Sequence, residues 1–267
     1  MKAFDLLVRT ASTLVCCAIL SFGLPDGPLP PAKDVVARYD EALGGRAAIL
    51  KHTSTTMRGT ITIPGSGHGM VLPFVYLARA PYQRLERVSL PNNGGDVIDG
   101  FDGEVAWSFD PRTKQAKVYD GDDGQSAKRD ADYYYPLDEL SWFRSMETVS
   151  EEEFEGQHCF RLHGINNWNK SNDHFYDRDT GLLAGYEFVS EMGLTHEIFS
   201  DYQKVDGVLF PMKQTAKVKD GNNGWVVREV LTYTSVTFND VDPAALKAPQ
   251  AVKDLLAERS QSSGGPN

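Results

Sequence analysis

Cysteine is scarce: three residues in 267, at Cys16, Cys17 and Cys159. The first two lie in an apolar N-terminal run, so Cys159 stands alone in the body of the chain, and one thiol closes no intramolecular disulfide. The fold must be held by its core. Cys159 lies in an alternating apolar stretch, where a buried, inert thiol is expected rather than a nucleophile. Histidines are scattered singly (His52, His68, His158, His163, His174, His196), none paired at the spacing of a helical zinc motif, and no metal is expected. No Gly-x-Ser-x-Gly elbow and no phosphate-binding glycine loop occurs; Gly65-Ser66-Gly67-His68-Gly69 has the composition of a flexible hairpin tip. Clusters of Lys and Arg are missing as well. With 37 acidic against 27 basic side chains the net charge is −10, which disfavours nucleic acid, whose binding is mostly cation-driven. The pattern argues against an enzyme, and no cofactor is expected.

Long hydrophobic runs are also absent. The N-terminal run Ala11–Gly23 carries no charge but has only 13 residues, against about 20 for a membrane-spanning helix. It follows Lys2 and Arg9 and ends in the small residues Ser21 and Gly23, the layout of a secretory signal peptide over residues 1–23. Removing that segment, net +1, takes the chain from −10 to −11. Leu14-Val15-Cys16-Cys17 also resembles a lipoprotein cleavage site with lipid added at Cys17, but the residue before that cysteine should be small and is Cys16. A periplasmic or secreted location is therefore expected, with anchoring at Cys17 disfavoured.

Residues 24–31 form a proline-rich linker. Val35, Val36, Tyr39, Ala42 and Leu43 then recur at helical spacing until Gly44-Gly45 stop the helix, and a short turn over Arg46 to Lys51 follows. From Thr55 the period drops to two. Met57, Ile61 and Ile63 alternate with Arg58, Thr60 and Thr62; similar runs cover 105–110, 182–188 and 226–238. Turn pairs separate such runs at Asp102-Gly103, Glu155-Gly156, Asp206-Gly207 and Gly221–Gly224. The sum is about ten antiparallel strands in meander order. Helical pattern returns over Ser126–Met146 and Ala244–Arg259, ahead of a disordered tail from Ser260 to Asn267. One mainly-β domain with helices, an α+β arrangement over residues 32–259, is expected.

Asp120-Gly-Asp-Asp-Gly124 lacks the later glutamate of a calcium loop and is expected to be a solvated turn. Glu151, Glu152, Glu153 and Glu155 are expected at a solvated sheet edge. In Gly69–Ala78 both strand faces are apolar, Met70, Leu72, Phe74 and Tyr76 on one and Val71, Val75 and Leu77 on the other, whereas an antiparallel sheet usually leaves one face polar. Either helices cover the sheet or its concave face lines an apolar cavity. The candidate cavity lining is Met70, Leu72 and Phe74, with Trp107 and Phe109 on a strand and Leu140, Trp142, Phe143 and Met146 on a helical plug.

Taken in order, Glu41-Ala-Leu-Gly-Gly45, Arg58-Gly-Thr60, Gly100-Phe-Asp-Gly-Glu-Val-Ala-Trp107, Arg129-Asp-Ala-Asp132, Tyr176-Asp-Arg-Asp-Thr-Gly-Leu-Leu183 and Asp201-Tyr-Gln-Lys-Val-Asp-Gly-Val-Leu-Phe-Pro211 resemble the LolA/LolB-like superfamily, specifically its outer-membrane lipoprotein-sorting-type members. The likeness runs from about Asp34 to about Asp254. It implies an open, strongly curved antiparallel half-barrel whose concave apolar face is plugged by helices. It also implies carriage of lipids or lipid-modified proteins across the bacterial periplasm. The family has no catalytic motif to carry over, and nothing in the sequence identifies a release complex or acceptor. The expected function is a monomeric, non-enzymatic lipid, acyl-chain or lipoprotein carrier. The alternatives are an envelope structural or protein-interaction module without ligand and, further off, a hydrolase with a site assembled from distant residues.

Intact mass of the exported protein checks the processing. A chain beginning at or near Leu24 is expected; a retained Met1, or a diacylglycerol adduct on Cys17, would overturn it.

Overall fold

The computed structural model describes residues 27–65, 69–221 and 224–263. The signal segment, Cys16, Cys17, the first part of the linker, the middle of the Gly65–Gly69 tip and the last four residues lie outside the described residues.

Helix α1 (Ala32–Leu43) buries Ala32, Val35, Val36, Tyr39 and Leu43, the three-and-four spacing of one apolar face. It ends where Gly44, at φ 126°, takes a conformation that L side chains resist, with Gly45 N–H bonded back to Asp40 at 2.9 Å. The short α2 (Arg46–Leu50) follows. Six strands then run as a meander: β1 (Ser54–Ile63), β2 (Met70–Arg79), β3 (Gln83–Ser89), β4 (Asp96–Phe101), β5 (Ala106–Asp110) and β6 (Gln115–Tyr119). Seven more form a second meander: β7 (Phe143–Phe154), β8 (Gln157–Asn166), β9 (Ser171–Asp177), β10 (Leu183–Ser190), β11 (Gly193–Val205), β12 (Val208–Lys219) and β13 (Trp225–Phe238). The turn pairs at 102–103, 155–156 and 206–207 each join consecutive strands, at sheet ends, and Gly221 and Gly224 lie between β12 and β13, with residues 222–223 outside the described ones.

β13 returns to pair with β1, fusing both meanders into one antiparallel sheet of thirteen strands, ordered β6-β5-β4-β3-β2-β1-β13-β12-β11-β10-β9-β8-β7. The edges β6 and β7 do not pair, so the sheet is an open, curved half-barrel. Strands exceed the expected ten because short ones such as β4 and β6 carry too few residues to show a period of two. The acidic run Glu151–Glu153 lies on the edge strand β7, and Glu155 occupies the turn to β8, where it meets His196 and Lys217.

The helical stretch expected over Ser126–Met146 is displaced. Asp120–Gly124 is not a turn. It opens α3 (Gly121–Asp130), whose first turn carries Asp122 and Asp123 where the helix dipole favours negative charge. After α3 come α4 (Tyr135–Asp138) and a 3-10 turn, Glu139–Trp142, and the chain then enters β7. Phe143 and Met146 therefore belong to the sheet and not to the plug. At the C-terminus a 3-10 turn (Pro243–Leu246), capped by the Asp242 side chain, precedes α5 (Gln250–Ser263), so the helix runs past Arg259 into the expected tail.

Both sheet faces of the first meander are covered. Leu246, Ala248 and Val252 press on Leu77, Leu85, Trp107 and Val118 from outside. On the concave side Leu72 and Phe74 meet Met57, Ile61, Met212, Tyr233 and Val236, all strand residues brought together by curvature alone. At the other end α1 packs on Leu162, Tyr176, Leu183, Phe199 and Val208; each such fully buried side chain contributes about 1.5–3 kcal/mol.

The seam between the meanders depends on Gly59. The β1–β13 register slips between Arg58 and Gly59, a bulge that tightens curvature, and a Cβ at Gly59 would collide with the Thr232 carbonyl oxygen. Gly59→Ala should destabilise the protein by about 1–3 kcal/mol. Gly221→Ala, where an added methyl meets open space, should stay within about 0.5 kcal/mol. Urea unfolding of both variants checks it, and equal midpoints would refute the role of the bulge.

Candidate functional site

Cross-strand partners share a face, so the register defines what points inward. On one flank Met57, Tyr76, Glu86 and Asp99 form a rung across β1 to β4. On the other, His174, Tyr186, Glu197, Ala216 and Glu229 do so across β9 to β13. These rungs face one another across the concavity. The connection from β6 to β7, residues 120–142, lies over them. It is pinned by Tyr133 N–H donating to the Pro81 carbonyl at 3.0 Å, a Tyr133–Thr55 hydroxyl bond of 2.8 Å and Tyr134 Oη donating to the His52 carbonyl at 3.1 Å.

The tightest fastening is a buried polar knot. Glu139, with no exposed surface, accepts from His174 Nδ1 and from Tyr176 Oη through the same oxygen, each at 2.6 Å. The Glu139 carboxyl group thereby orients the His174 ring through Nδ1. Its second oxygen, Oε2, is buried without a partner among the described residues.

Between connection, α1 and sheet lies a cavity of about 1090 Å3. Part of its wall is apolar: Ile49, Met57, Phe199, Val208, Phe210 and Phe238. The rest is polar. Arg84 binds Glu86 at 2.7 Å and Asp99 at 3.0 Å; Arg129 binds Asp130 at 2.8 Å. Burial pushes Glu197 up to about 7, aided by Asp130 and Glu86. It does the same to Glu86, also to about 7, against the pull of Arg84. His52, 1 % exposed and stacked on Phe238 at 3.7 Å, also lines the cavity, and its Nδ1 has no partner among the described residues.

None of the nine residues singled out from the sequence lines this cavity. Leu72 and Phe74 point inward but are consumed by the strand-to-strand core, and Met70 is exposed at the start of β2. Trp107 and Phe109 face the opposite way. Their rung partners are Gly100 and Ile98, and Trp107, 1 % exposed, sits beneath α5. Leu140 is exposed, Trp142 is half-buried and donates Nε1–H to Asp132 at 2.8 Å, Phe143 packs edge-on to His174, and Met146 joins the α1 core. Of the residues that do line it, Arg84 and Glu86 had a signal in the sequence, whereas Tyr186 and Glu197 had none. In Gln83–Ser89 the charged residues Arg84 and Glu86 flank Leu85, which is 2 % exposed beneath α5. With Leu85 on the outer face, its flanking neighbours Arg84 and Glu86 point inward. Among the described residues no group of three or more His, Cys, Asp or Glu is placed to hold a metal ion.

No family model and no curated protein matches the chain. Solved structures do. A LolA superfamily protein from Nitrosomonas europaea superposes with TM-score 0.56 at 13% identity, over 82% of this chain and 99% of that one. A DUF1329 family protein from Desulfovibrio piger gives 0.58 at 13%, over 82% and 98%. A putative outer membrane lipoprotein-sorting protein domain from Vibrio parahaemolyticus gives 0.53 at 14%, over 84% and 96%. The fold is LolA-like, an open half-barrel with helices on its concave side.

The raised carboxyl groups set a pH dependence. Glu86, Glu197 and also Asp40, which burial and then Glu139 push up to about 7, hold their protons more tightly folded than unfolded. Glu197 is faced by Asp130 and Arg129 of α3, Glu86 of β3 and Glu229 of β13. Stability from such groups is full below the unfolded value, near 4.5 for Glu, and is lost as pH rises through 7. The protein should be more stable at pH 5 than at pH 8. Glu197→Gln should recover on the order of 1–3 kcal/mol of the loss. Urea midpoints at both pH values test it; a midpoint that rises with pH over this window would refute it.

Proposed function

We propose that the chain is a non-enzymatic binding protein that carries a lipid, an acyl chain or a lipid-modified protein in the cavity beneath residues 120–142. The cavity carries the proposal. At about 1090 Å3 it is slightly larger than the usual small-molecule site of roughly 300–1,000 Å3. Its wall divides into an apolar portion and a charged, tyrosine-rich portion, which suits an amphipathic ligand. A chain laid along Ile49, Met57, Phe199, Phe210 and Phe238 leaves water, each buried methylene contributing about 0.8 kcal/mol. One of the similar solved structures is described as a lipoprotein-sorting domain, which agrees with this reading. We place the protein in the bacterial periplasm or outside the cell, exported by residues 1–23, as one monomeric domain over residues 32–259.

Native mass spectrometry of freshly purified protein, followed by organic extraction, tests the proposal. A lipid or acyl adduct is expected, together with saturable 1:1 binding of the neutral probe N-phenyl-1-naphthylamine. Protein that carries no adduct and takes up no apolar probe would overturn it and leave the envelope interaction module.

A further inference from the structure

The polar half of the cavity has a definite sign and shape. Among the described residues, five carboxylates (Glu86, Asp99, Asp130, Glu197, Glu229) interact there with two guanidiniums, Arg84 and Arg129. Both guanidiniums are taken: Arg84 by Glu86 and Asp99, Arg129 by Asp130. Glu197 lines the cavity and has no ion pair or hydrogen bond among the described residues. The unspent charge is negative.

Tyrosines surround it. Tyr76, Tyr135, Tyr186 and Tyr233 line the same cavity, and among the described residues none of their hydroxyls makes a hydrogen bond. Tyr233 is only 6 % exposed and stands within electrostatic reach of Glu86, Tyr76 and Glu197. Buried tyrosine hydroxyls ordinarily find a partner. A carboxylate with Tyr186 as its cross-strand neighbour, Tyr233 in electrostatic reach and open phenol oxygens in the same cavity is chemistry that receives an organic cation, through charge, N–H donation and the ring quadrupole together.

Resting on the carrier reading above, we propose that the cavity selects ligands whose polar end is a protonated amine, held by Glu197 and Glu86 within the ring of Tyr76, Tyr186 and Tyr233, with the apolar tail along Met57, Phe210 and Phe238. An anionic head group meets two arginines already engaged and three further carboxylates, so a fatty-acid carboxylate is disfavoured.

Displacement of N-phenyl-1-naphthylamine at pH 8 by a matched series, dodecylamine, dodecanol and dodecanoate, tests this. Dodecylamine should displace the probe at a concentration at least tenfold below dodecanoate, with dodecanol between them. Glu197→Gln should bring dodecylamine to the level of dodecanol while dodecanol itself is unchanged, and Tyr233→Phe should reduce the amine preference severalfold. If Glu197→Gln does not fold, the wild-type series and Tyr233→Phe decide. Dodecanoate equal to or better than dodecylamine, with dodecanol bound, would refute the amine subsite and leave the carrier reading intact. Failure of the naphthylamine probe and of all three chains would bring down both.

Discussion

The structure is governed by where the chain must go between β6 and β7. These are the two outer edges of a sheet of thirteen strands. Laid flat, the edges would be roughly 58 Å apart at the normal strand spacing. The connection, residues 120–142, spends most of its length in α3, α4 and a 3-10 turn, and its reach is about 45 Å even if laid straight. The sheet must therefore curl until its edges approach, and the connection must cross the concave side to join them. Curvature comes from the β1–β13 seam, with its bulge at Gly59, and a further register slip lies between Ala216 and Lys217 in β12. From the same requirement follow the cavity, its roof and the packing of Leu72 and Phe74 against residues of distant strands.

A half-barrel closed in this way has an inner and an outer face, and here both are covered over β2 to β6. That explains what could be read from the sequence and what could not. The stop of α1 at Gly44-Gly45, the hairpin turns, the alternating strands and the acidic edge at Glu151–Glu153 are set by neighbours in sequence, and each lies where its residues predict. Which apolar face looks inward is not a local property. Trp107 alternates with Ala106 and Ser108 in the same way whether it faces a ligand or α5, and α5 lies more than a hundred residues downstream. Likewise Phe143 and Met146 continue a helical spacing from Leu140, but β8 offers a strand partner from Gly164 to Asn166, and tertiary pairing overrides the local pattern. Cavity residues escaped because Arg84 and Glu86 have the composition of a solvated strand face.

The charged interior is not explained by stability. Moving ionised groups out of water costs several kcal/mol each, and a buried pair seldom repays that by more than an apolar replacement would. Arg84 offsets part of the cost by serving two carboxylates at once, at 2.7 and 3.0 Å. Glu86 and Glu197 reduce it further by holding protons to about pH 7. A fold that needed only to fill its concavity would use side chains like those of the α1 core, which occupy the neighbouring part of the same face.

The roof of the cavity is not held equally along its length. The 3-10 end is held by Glu139, buried and bonded to both His174 and Tyr176, and breaking one partner from such a buried charge costs on the order of 3–5 kcal/mol. Tyr133 and Tyr134 add neutral hydrogen bonds, each about 1 kcal/mol. α3 is different. It buries none of its residues fully, and its ties to the rest of the protein include the exposed pairs Asp120–Arg259 and Lys170–Asp122, a kind of contact worth about 0–1 kcal/mol. Beyond these pairs α3 is held by Ala127 packing on Phe101 and Ala106 and by Arg129 over the Trp168 ring, so among the roof's polar fastenings the Glu139 knot is the most buried. Arg129 and Asp130 sit at the inner end of that helix, beside Glu197. The part of the roof held by the weakest polar contacts is therefore the part that carries charge to the polar half of the cavity.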